Sequence, residues 1–490
     1  MTIWSFQRDA MAYRDMNQFI ELLEREGELK RISQPVSPIL EMTEITDRVS
    51  KKGGPALFFE EVEGHRFPVV TNLFGSDRRM RLCLGGRSPD EVGREIKDLL
   101  EMEPPDTLWK GLKTLPKLHQ LSKFFPRKVE KAPCQEIVLK EPDLGLLPTL
   151  QCWPEDGGRF ITFPMVISKD LETGRRNVGM YRLQVFDSKT LGVHWHPQKG
   201  GAQHLRVAER RGERLEVAVA IGPDPASLYT ATAPLLEGID ELIFAGFLRG
   251  EPVEMVKCTT LSLEVPACSQ FVIEGYIEPG ERRMEGPFGD HTGFYSLQDL
   301  YPVMHVTALT HRKDAIYPAT VVGIPPMEDS FLGRATERIF LPLIKMQMPE
   351  IIDIHMPAEG VFHNLVLVSI DKRYPGHARK IGHAIWGMGQ MMFSKIIVIF
   401  DREVDVQNLS ECLWILGANI DPKRDVFFSD GPVDALDHAS PLPHYGSKMG
   451  IDATQKWPEE GFNRPWPKRI EMDPVVKKKI DGIWKSLGLE

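Results

Sequence analysis

Two carboxylates stand five residues apart in the stretch Met284-Glu-Gly-Pro-Phe-Gly-Asp-His-Thr-Gly293, with Gly286, Pro287, Gly289 and Gly293 between and beside them. Glycine lets the backbone turn tightly and proline fixes φ, so this stretch reads as a shaped loop rather than a helix. Such a loop can aim Glu285 and Asp290 into one cavity. Burial and mutual repulsion would there drive their pKa values apart, leaving one acid ionised and the other able to carry a proton. The plainer alternative is a surface turn with two solvated acids.

Four further stretches carry chemistry of their own. In Asn177-Val-Gly-Met-Tyr-Arg182 the asparagine carbonyl is a hard oxygen ligand suited to Mn²⁺ or Mg²⁺, and Arg182 can fork a carboxylate. In His194-Trp-His-Pro-Gln-Lys-Gly-Gly201 two histidines one residue apart point the same way on a strand, a spacing that suits a metal. Lys199 beside Gly200 and Gly201 suits an anion. Glu241, just before an apolar run, reads alone as a helix or strand cap and beside Asn177 as a metal ligand. Tyr445 to Gly450 and Asp452 to Trp457 read as a glycine-flanked loop whose lysines can meet a phosphate. Each motif also has an ordinary structural reading as a strand, turn or surface loop.

The elements that must position these groups fall into three regions. In 1–130 the spacing of Phe19, Leu22 and Leu23 predicts a helix ended by Gly27. A second helix spans 41–52, strands cover 56–60 and 67–72, and a third helix spans 88–102, which makes an α/β unit. A Pro-rich basic run from Pro104 to Pro133 reads as a linker. In 131–325 short β-rich runs follow one another at 136, 160, 165, 181, 191, 215, 256, 271 and 304, as in a barrel or sandwich. A hairpin turn, Asp187 to Thr190, joins two of them, and a helix at 201–212 interrupts the series. In 326–490 helix and strand alternate: a strand at 361–370, a helix at 376–393, a buried parallel-type strand at 395–400 and a helix at 407–417. The amphipathic helix 473–487 is expected to dock elsewhere, on another subunit.

Composition narrows the function classes. Over 490 residues, 42% are hydrophobic and 26% charged, ordinary values for a soluble globular protein. The net charge of −9 and the lack of a basic stripe argue against a nucleic-acid partner. The first ten residues carry no long apolar core, so neither a signal peptide nor a membrane span is expected. Six scattered cysteines without a C-x-x-C read as reduced thiols of a cytoplasmic protein.

Taken together, the motifs resemble the UbiD family of reversible decarboxylases. The resemblance rests on Asn177-x-Gly-Met-Tyr-Arg182, Glu241 in Glu-x-x-Phe-Ala-Gly246, and the run from Cys258 to Ala267 ending in Leu-Glu-Val-Pro-Ala. It also rests on Glu285-Gly-Pro-Phe-Gly-Asp-His-Thr-Gly-Phe-Tyr295 and Lys448-Met-Gly-Ile-Asp-Ala-Thr-x-Lys-Trp457. It runs nearly end to end and is especially close to the branch acting on 3-polyprenyl-4-hydroxybenzoate in ubiquinone synthesis. Trp195-His-Pro-Gln-Lys-Gly-Gly201 departs from that branch in where its histidine falls.

The resemblance implies an N-terminal α/β region, a central split β-barrel like that of FMN-binding reductases, and a C-terminal α/β domain whose last helix helps form a homo-oligomer, a dimer or a hexamer. It implies prenylated FMN supplied by a partner flavin prenyltransferase, and Mn²⁺ with K⁺ nearby. Asn177, Glu241 and His196 match the metal ligands. Thr162, Met180, Tyr181, Arg182, His194, Trp195, His196, Lys199, Gly200 and Lys448 match cofactor-contacting positions. Arg182, Glu285 and Asp290 match the catalytic trio. In that trio Arg182 keeps Glu285 ionised and orients the substrate carboxylate, and Asp290, with a raised pKa, donates a proton after CO₂ leaves. Cycloaddition and quinoid routes both stay open, as do a menaquinone-pathway or catabolic aromatic acid as substrate, or a non-catalytic flavin-binding subunit. A long polyprenyl substrate implies peripheral contact with the inner membrane.

Overall fold

The computed structural model describes residues 13–101, 122–235 and 238–489. The first ten residues and most of the Pro-rich run lie outside these. The first helix, Met16–Arg25, forms because Asp15 caps it and Met16, Phe19, Ile20, Leu22 and Leu23 share one buried face. The helices Glu41–Ser50 and Pro89–Leu100 come next, as the pattern predicts, the latter closed by a capping box between Ser88 and Glu91. A seven-residue helix, Asp77–Cys83, is too short for its periodicity to be read. The sheet of this region runs Leu29–Ile32, Ala56–Phe59, Val69–Thr71, then Tyr317–Pro318. Its last strand arrives from far along the chain and ties the N-terminal region to the end of the central one.

The central sheet has nine strands. Its path runs Phe160–Ile161, Leu183–Val185, Thr190–Val193, Asp299–His311, Phe271–Glu285, Leu215–Ile221, Pro164–Lys169, Arg176–Gly179, with Ile137–Leu139 pairing on Asp299–His311. Among the described residues this path is open: its end strands do not pair with each other. Leu183–Val185 and Thr190–Val193 form the hairpin expected around Asp187 to Thr190.

The strand expected to stop near residue 277 continues to Glu285, so Glu285 ends a strand and only Asp290 lies in the loop beyond. A register irregularity between Ile277 and Arg282 breaks the apolar alternation there, with Gly280 at φ +75°. The segment expected as one strand from Tyr181 to Phe186 pairs only over Leu183–Val185, and the helix Gly200–Arg211 lies against strands Pro164–Lys169 and Arg176–Gly179.

The C-terminal sheet has the order Ile351–His355, Leu365–Ile370, Ile396–Asp401, Tyr445–Asp452, Val426–Pro432. Ile396–Asp401 is parallel to both neighbours, as its apolar run predicts. Two expectations change here. The strand read from Val361 starts at Leu365, because Val361 and Phe362 hold φ of 55° and 44°. The stretch Tyr445 to Gly450 is strand rather than loop. Its Gly450 is needed where the Phe427 ring lies so close that a Cβ would strike it. The helix from residue 376 ends at Trp386 and gives way to a 3-10 turn, Gly389–Phe393. A 20-residue helix, Glu328–Gln347, joins the central and C-terminal sheets. The last helix, Pro474–Ile483, forms as predicted and buries no residue within this chain.

Candidate functional site

The guanidinium of Arg182, placed by the turn between Arg176–Gly179 and Leu183–Val185, is the hub of the site. Its Nη2 donates to Glu285 Oε2 at 2.7 Å and to Ser296 Oγ at 3.1 Å, and its Nη1 pairs with Asp290. Its Cζ lies 4.8 Å from the centre of the Phe288 ring. Glu285 is 0% exposed and also meets His194 Nδ1 at 2.7 Å. Burial pushes the Glu285 carboxyl up, but Arg182 and His194 outweigh it and hold the pKa below the usual range.

Asp290 behaves the same way, against expectation. Its carboxyl is held well below the ordinary value because it sits between Arg182 and His291, accepting the His291 backbone N–H at 2.7 Å and facing Nδ1 at 2.8 Å. The two acids do not drive each other apart, because cations stand on both. The raised group is His291, which burial lowers but Asp290 pushes up to about 9.

The loop is held in shape from behind. Asp156 accepts the Gly289 backbone N–H at 2.8 Å, Gln184 accepts that of Gly286 at 2.9 Å, and Trp153 packs where a Cβ on Gly289 would be.

His194 and His196 do converge, with Nε2 atoms 2.6 Å apart. Burial and the neighbouring His194 lower His196 to about 3. The other ring near His196 is His444, and neither of these direct partners is Asn177 or Glu241. Asn177 sits on strand Arg176–Gly179 with its Nδ2 buried and unpartnered. Its amide oxygen fills the space that a Cβ on Gly200 would need. Glu241 is the first residue of helix Glu241–Arg249, capped by Asp240, and accepts the Val178 N–H at 3.3 Å. Burial raises it to about 7. So Asn177 lies on the short strand whose next residue, Val178, donates to Glu241, and both side chains carry hard oxygens. Among the described residues no group of three or more His, Cys, Asp or Glu is placed to hold a metal by itself. An asparagine–carboxylate pair of hard oxygens fits Mn²⁺ chemistry.

Of the cofactor-matching residues, Met180, Tyr181 and Arg182 follow strand Arg176–Gly179 directly in the chain. Tyr181 and Trp195 meet edge to face at 6.1 Å, and Trp195 Nε1 is buried without a partner. The helix that starts at Gly200 has no side-chain cap on its first turn, which leaves backbone N–H groups for an anion. Lys199 lies beside it, its pKa lowered by burial. Met180 packs between two cores, and buried Thr162 accepts the Thr320 N–H at 3.2 Å. Lys448 lies on strand Tyr445–Asp452 and donates to the Met392 carbonyl, with burial lowering it to about 8.

Several groups here carried no role in the sequence reading. Ser296 and Phe288 sit on Arg182, and His291 sits on Asp290. His363 reaches His291 with Nε2 atoms 3.0 Å apart, while Asp329 and Asp434 face them with their charge. Ser296, Phe288 and His291 lie in or beside the quoted motif and could have been found there. His363, Asp329 and Asp434 lie dozens of residues away, with no local signal.

The chain matches three family models in succession: the N-terminal domain of 3-octaprenyl-4-hydroxybenzoate carboxy-lyase over residues 20–100, its Rift-related domain over 127–325 and its C-terminal domain over 330–453. An uncharacterised protein of Aquifex aeolicus is 53% identical over 482 residues, 98% of this chain and 99% of that one. The closed form of vanillic acid decarboxylase from Sedimentibacter hydroxybenzoicus superposes with a TM-score of 0.85 at 30% identity, covering 98% of this chain and 99% of that one. An evolved dimeric form of the UbiD-class enzyme HmfF from Pelotomaculum thermopropionicum, in complex with prenylated FMN, superposes with a TM-score of 0.78 at 29% identity, covering 95% and 98%.

Proposed function

The chain belongs to the UbiD family of carboxy-lyases, and from that premise we propose that it decarboxylates 3-polyprenyl-4-hydroxybenzoate to the 2-polyprenylphenol of ubiquinone synthesis, with Arg182, Glu285 and Asp290 as its working groups. The observation that carries the site assignment is the single guanidinium shared by two buried carboxylates. An apolar rim beside it supports the prenylated substrate: Phe294 is 57% and Leu297 86% exposed, with Ile324 against Gly293 and Met284 opposite Leu300. The same rim would suit peripheral contact with a membrane. No helix among the described residues is long and apolar enough to cross one.

Prenylated FMN, when bound, supplies the centre that takes up electron density as the carboxylate leaves. Asn177, Glu241 and His196 would hold Mn²⁺, which together with K⁺ would offset the negative charge of the cofactor's phosphate. The free N–H groups of the helix at Gly200, with Lys199, would meet the phosphate. Thr162, Met180, Tyr181, Trp195, His194 and Lys448 would line the remaining contacts.

The chain's own residues do the rest. Arg182 attracts the substrate carboxylate. That third negative charge competes with Asp290 for the guanidinium and raises the Asp290 pKa toward protonation. Glu285 stays ionised between Arg182 and His194 and fixes the guanidinium plane. Asp290 then gives its proton to the carbon that lost CO₂.

The central sheet is read as a split barrel, with region boundaries near 130 and 325. The protein is read as a cytoplasmic homo-oligomer loaded by a flavin prenyltransferase.

An unprenylated catabolic acid is the second reading, favoured by the 30% identity to vanillic acid decarboxylase. Competition decides between them. Loaded protein is offered equal 3-polyprenyl-4-hydroxybenzoate and vanillate, and a preference of at least about tenfold in kcat/KM for the prenylated acid is expected. A preference for vanillate overturns the prenylated reading.

A further inference from the structure

Asp290 cannot supply protons turn after turn from where it sits. It is ionised between two cations, and each release of CO₂ consumes one proton at carbon. Besides Arg182, the group in contact with it is His291, whose Nδ1 lies 2.8 Å from Asp290 Oδ1. The far nitrogen of that ring meets His363 Nε2 at 3.0 Å. With His291 Nδ1–H directed at the carboxylate and Nε2–H at His363, the His363 Nε2 is the acceptor and its proton is on Nδ1. That Nδ1 is buried and has no hydrogen-bond partner among the described residues.

The backbone is built around this contact. Val361 and Phe362, neither of them glycine, hold φ of 55° and 44° immediately before His363. A β-branched residue there is strained, and such strain persists only where the surroundings enforce it. Phe362 stacks on the His291 ring at 5.4 Å and 27°, and helix Glu328–Gln347 keeps Gly333 where a Cβ would come within 2.8 Å of Phe362. So the turn lays one ring on His291 and a second against its edge. The charged groups that face His291 are Asp290 from its own loop, Asp329 from the long helix, and Asp434 from the C-terminal region. Those that face His363 are His291, Asp434 and Lys199.

We propose that His291 is the proton donor that reloads Asp290, and that His363 is the positioning residue that holds it by accepting its Nε2–H, so that the C-terminal region completes the proton-donating unit. This rests on the decarboxylase reading above. As the Asp290 O–H breaks, the new C–H forms at the carbon that lost CO₂. The His291 Nδ1–H then breaks as the Asp290 O–H reforms. His291 regains its proton from solvent water between turnovers, so one proton is consumed for each CO₂ released.

Two measurements test this. In unloaded full-length protein, NMR of histidine labelled at ring carbon follows the His291 titration. It is expected to stay charged until about pH 9 and to fall toward the ordinary value in Asp290→Asn. In loaded protein the pH profile of kcat is expected to lose activity on its alkaline side as His291 deprotonates. His291→Gln should lower kcat about 10²-fold and abolish that alkaline limb, with KM changing far less. His363→Leu should lower kcat, and His363→Gln, whose amide oxygen can accept the same N–H, should recover most of it. An active His291→Gln with an unchanged kcat and pH profile overturns the proposal, as does a His363→Gln no better than His363→Leu. If loaded wild-type protein releases no CO₂ from any acid, the decarboxylase reading fails instead, and the NMR titration still judges the Asp290–His291 pair.

Discussion

At the scale of single residues the site turns on charge balance around Arg182. One guanidinium serves two carboxylates, and each carboxylate has a histidine on its other side: His194 on Glu285 and His291 on Asp290. Asp290→Asn keeps the size and one acceptor but removes the transferable proton. It is expected to fold, to retain flavin and to lose about 10²-fold or more in kcat, read as CO₂ release per bound cofactor. Turnover within a few-fold of wild type would remove Asp290 from the mechanism. Glu285 and Asp290 stood out in the sequence because glycine and proline mark a turn around them, whereas Arg182 joined them only through the motifs that resemble the family. The direction of the Asp290 shift was not legible there, since it depends on where Arg182 and His291 lie in space.

At the scale of elements, glycine fixes how closely strand Arg176–Gly179 and the helix that starts at Gly200 approach. Gly200 starts a helix against Asn177, and a Cβ there would strike the asparagine amide oxygen. Gly200→Ala is therefore expected to push Asn177 aside and lower both bound flavin and Mn content with little change in Tm. Full occupancy would contradict the assignment of Asn177 and this helix end.

The helix His377–Trp386 is tied to the strand end by Glu350, which accepts from His377 Nε2 at 3.1 Å and pairs with Lys380. These partners lower the Glu350 pKa to about 2. A depressed carboxylate stabilises the fold above its unfolded pKa, and that stabilisation is lost as pH falls toward 2. With Lys380 half exposed, the contribution at neutral pH is about 1–2 kcal/mol. Glu350→Gln should lower Tm at pH 7 and flatten the fall in Tm between pH 5 and 3. An equal Tm at pH 7 would contradict it.

Strands with clear apolar runs, such as Ile396–Asp401, were readable from pattern alone. Tyr445–Asp452 was not, because its glycines, required by the Phe427 ring and by Ser440, imitate a loop. The long strand to Glu285 was hidden by its irregular register, which breaks the alternation on which such readings depend.

At the scale of the whole molecule, the order of an α/β region, a β-rich middle and an alternating α/β end was legible from periodicity. The way they interlock was not. Strand Tyr317–Pro318 completes the N-terminal sheet, and His363 reaches back to the acid loop, both through contacts between distant segments. The last helix presents Val475, Val476, Ile480, Ile483 and Trp484 to solvent within one chain. Removing residues 469–490 is expected to lower the oligomeric state seen by light scattering while the site residues keep their fold. An unchanged mass would assign subunit contact to another surface.

The most direct measurement is CO₂ release from a panel of aromatic acids by protein co-produced with a flavin prenyltransferase, with flavin absorbance and Mn content read on the same sample. Bound prenylated flavin, about one Mn per chain, and turnover of hydroxylated aromatic acids are expected. Folded protein that carries both and releases CO₂ from none of them, or that binds no prenylated flavin, would contradict the decarboxylase reading.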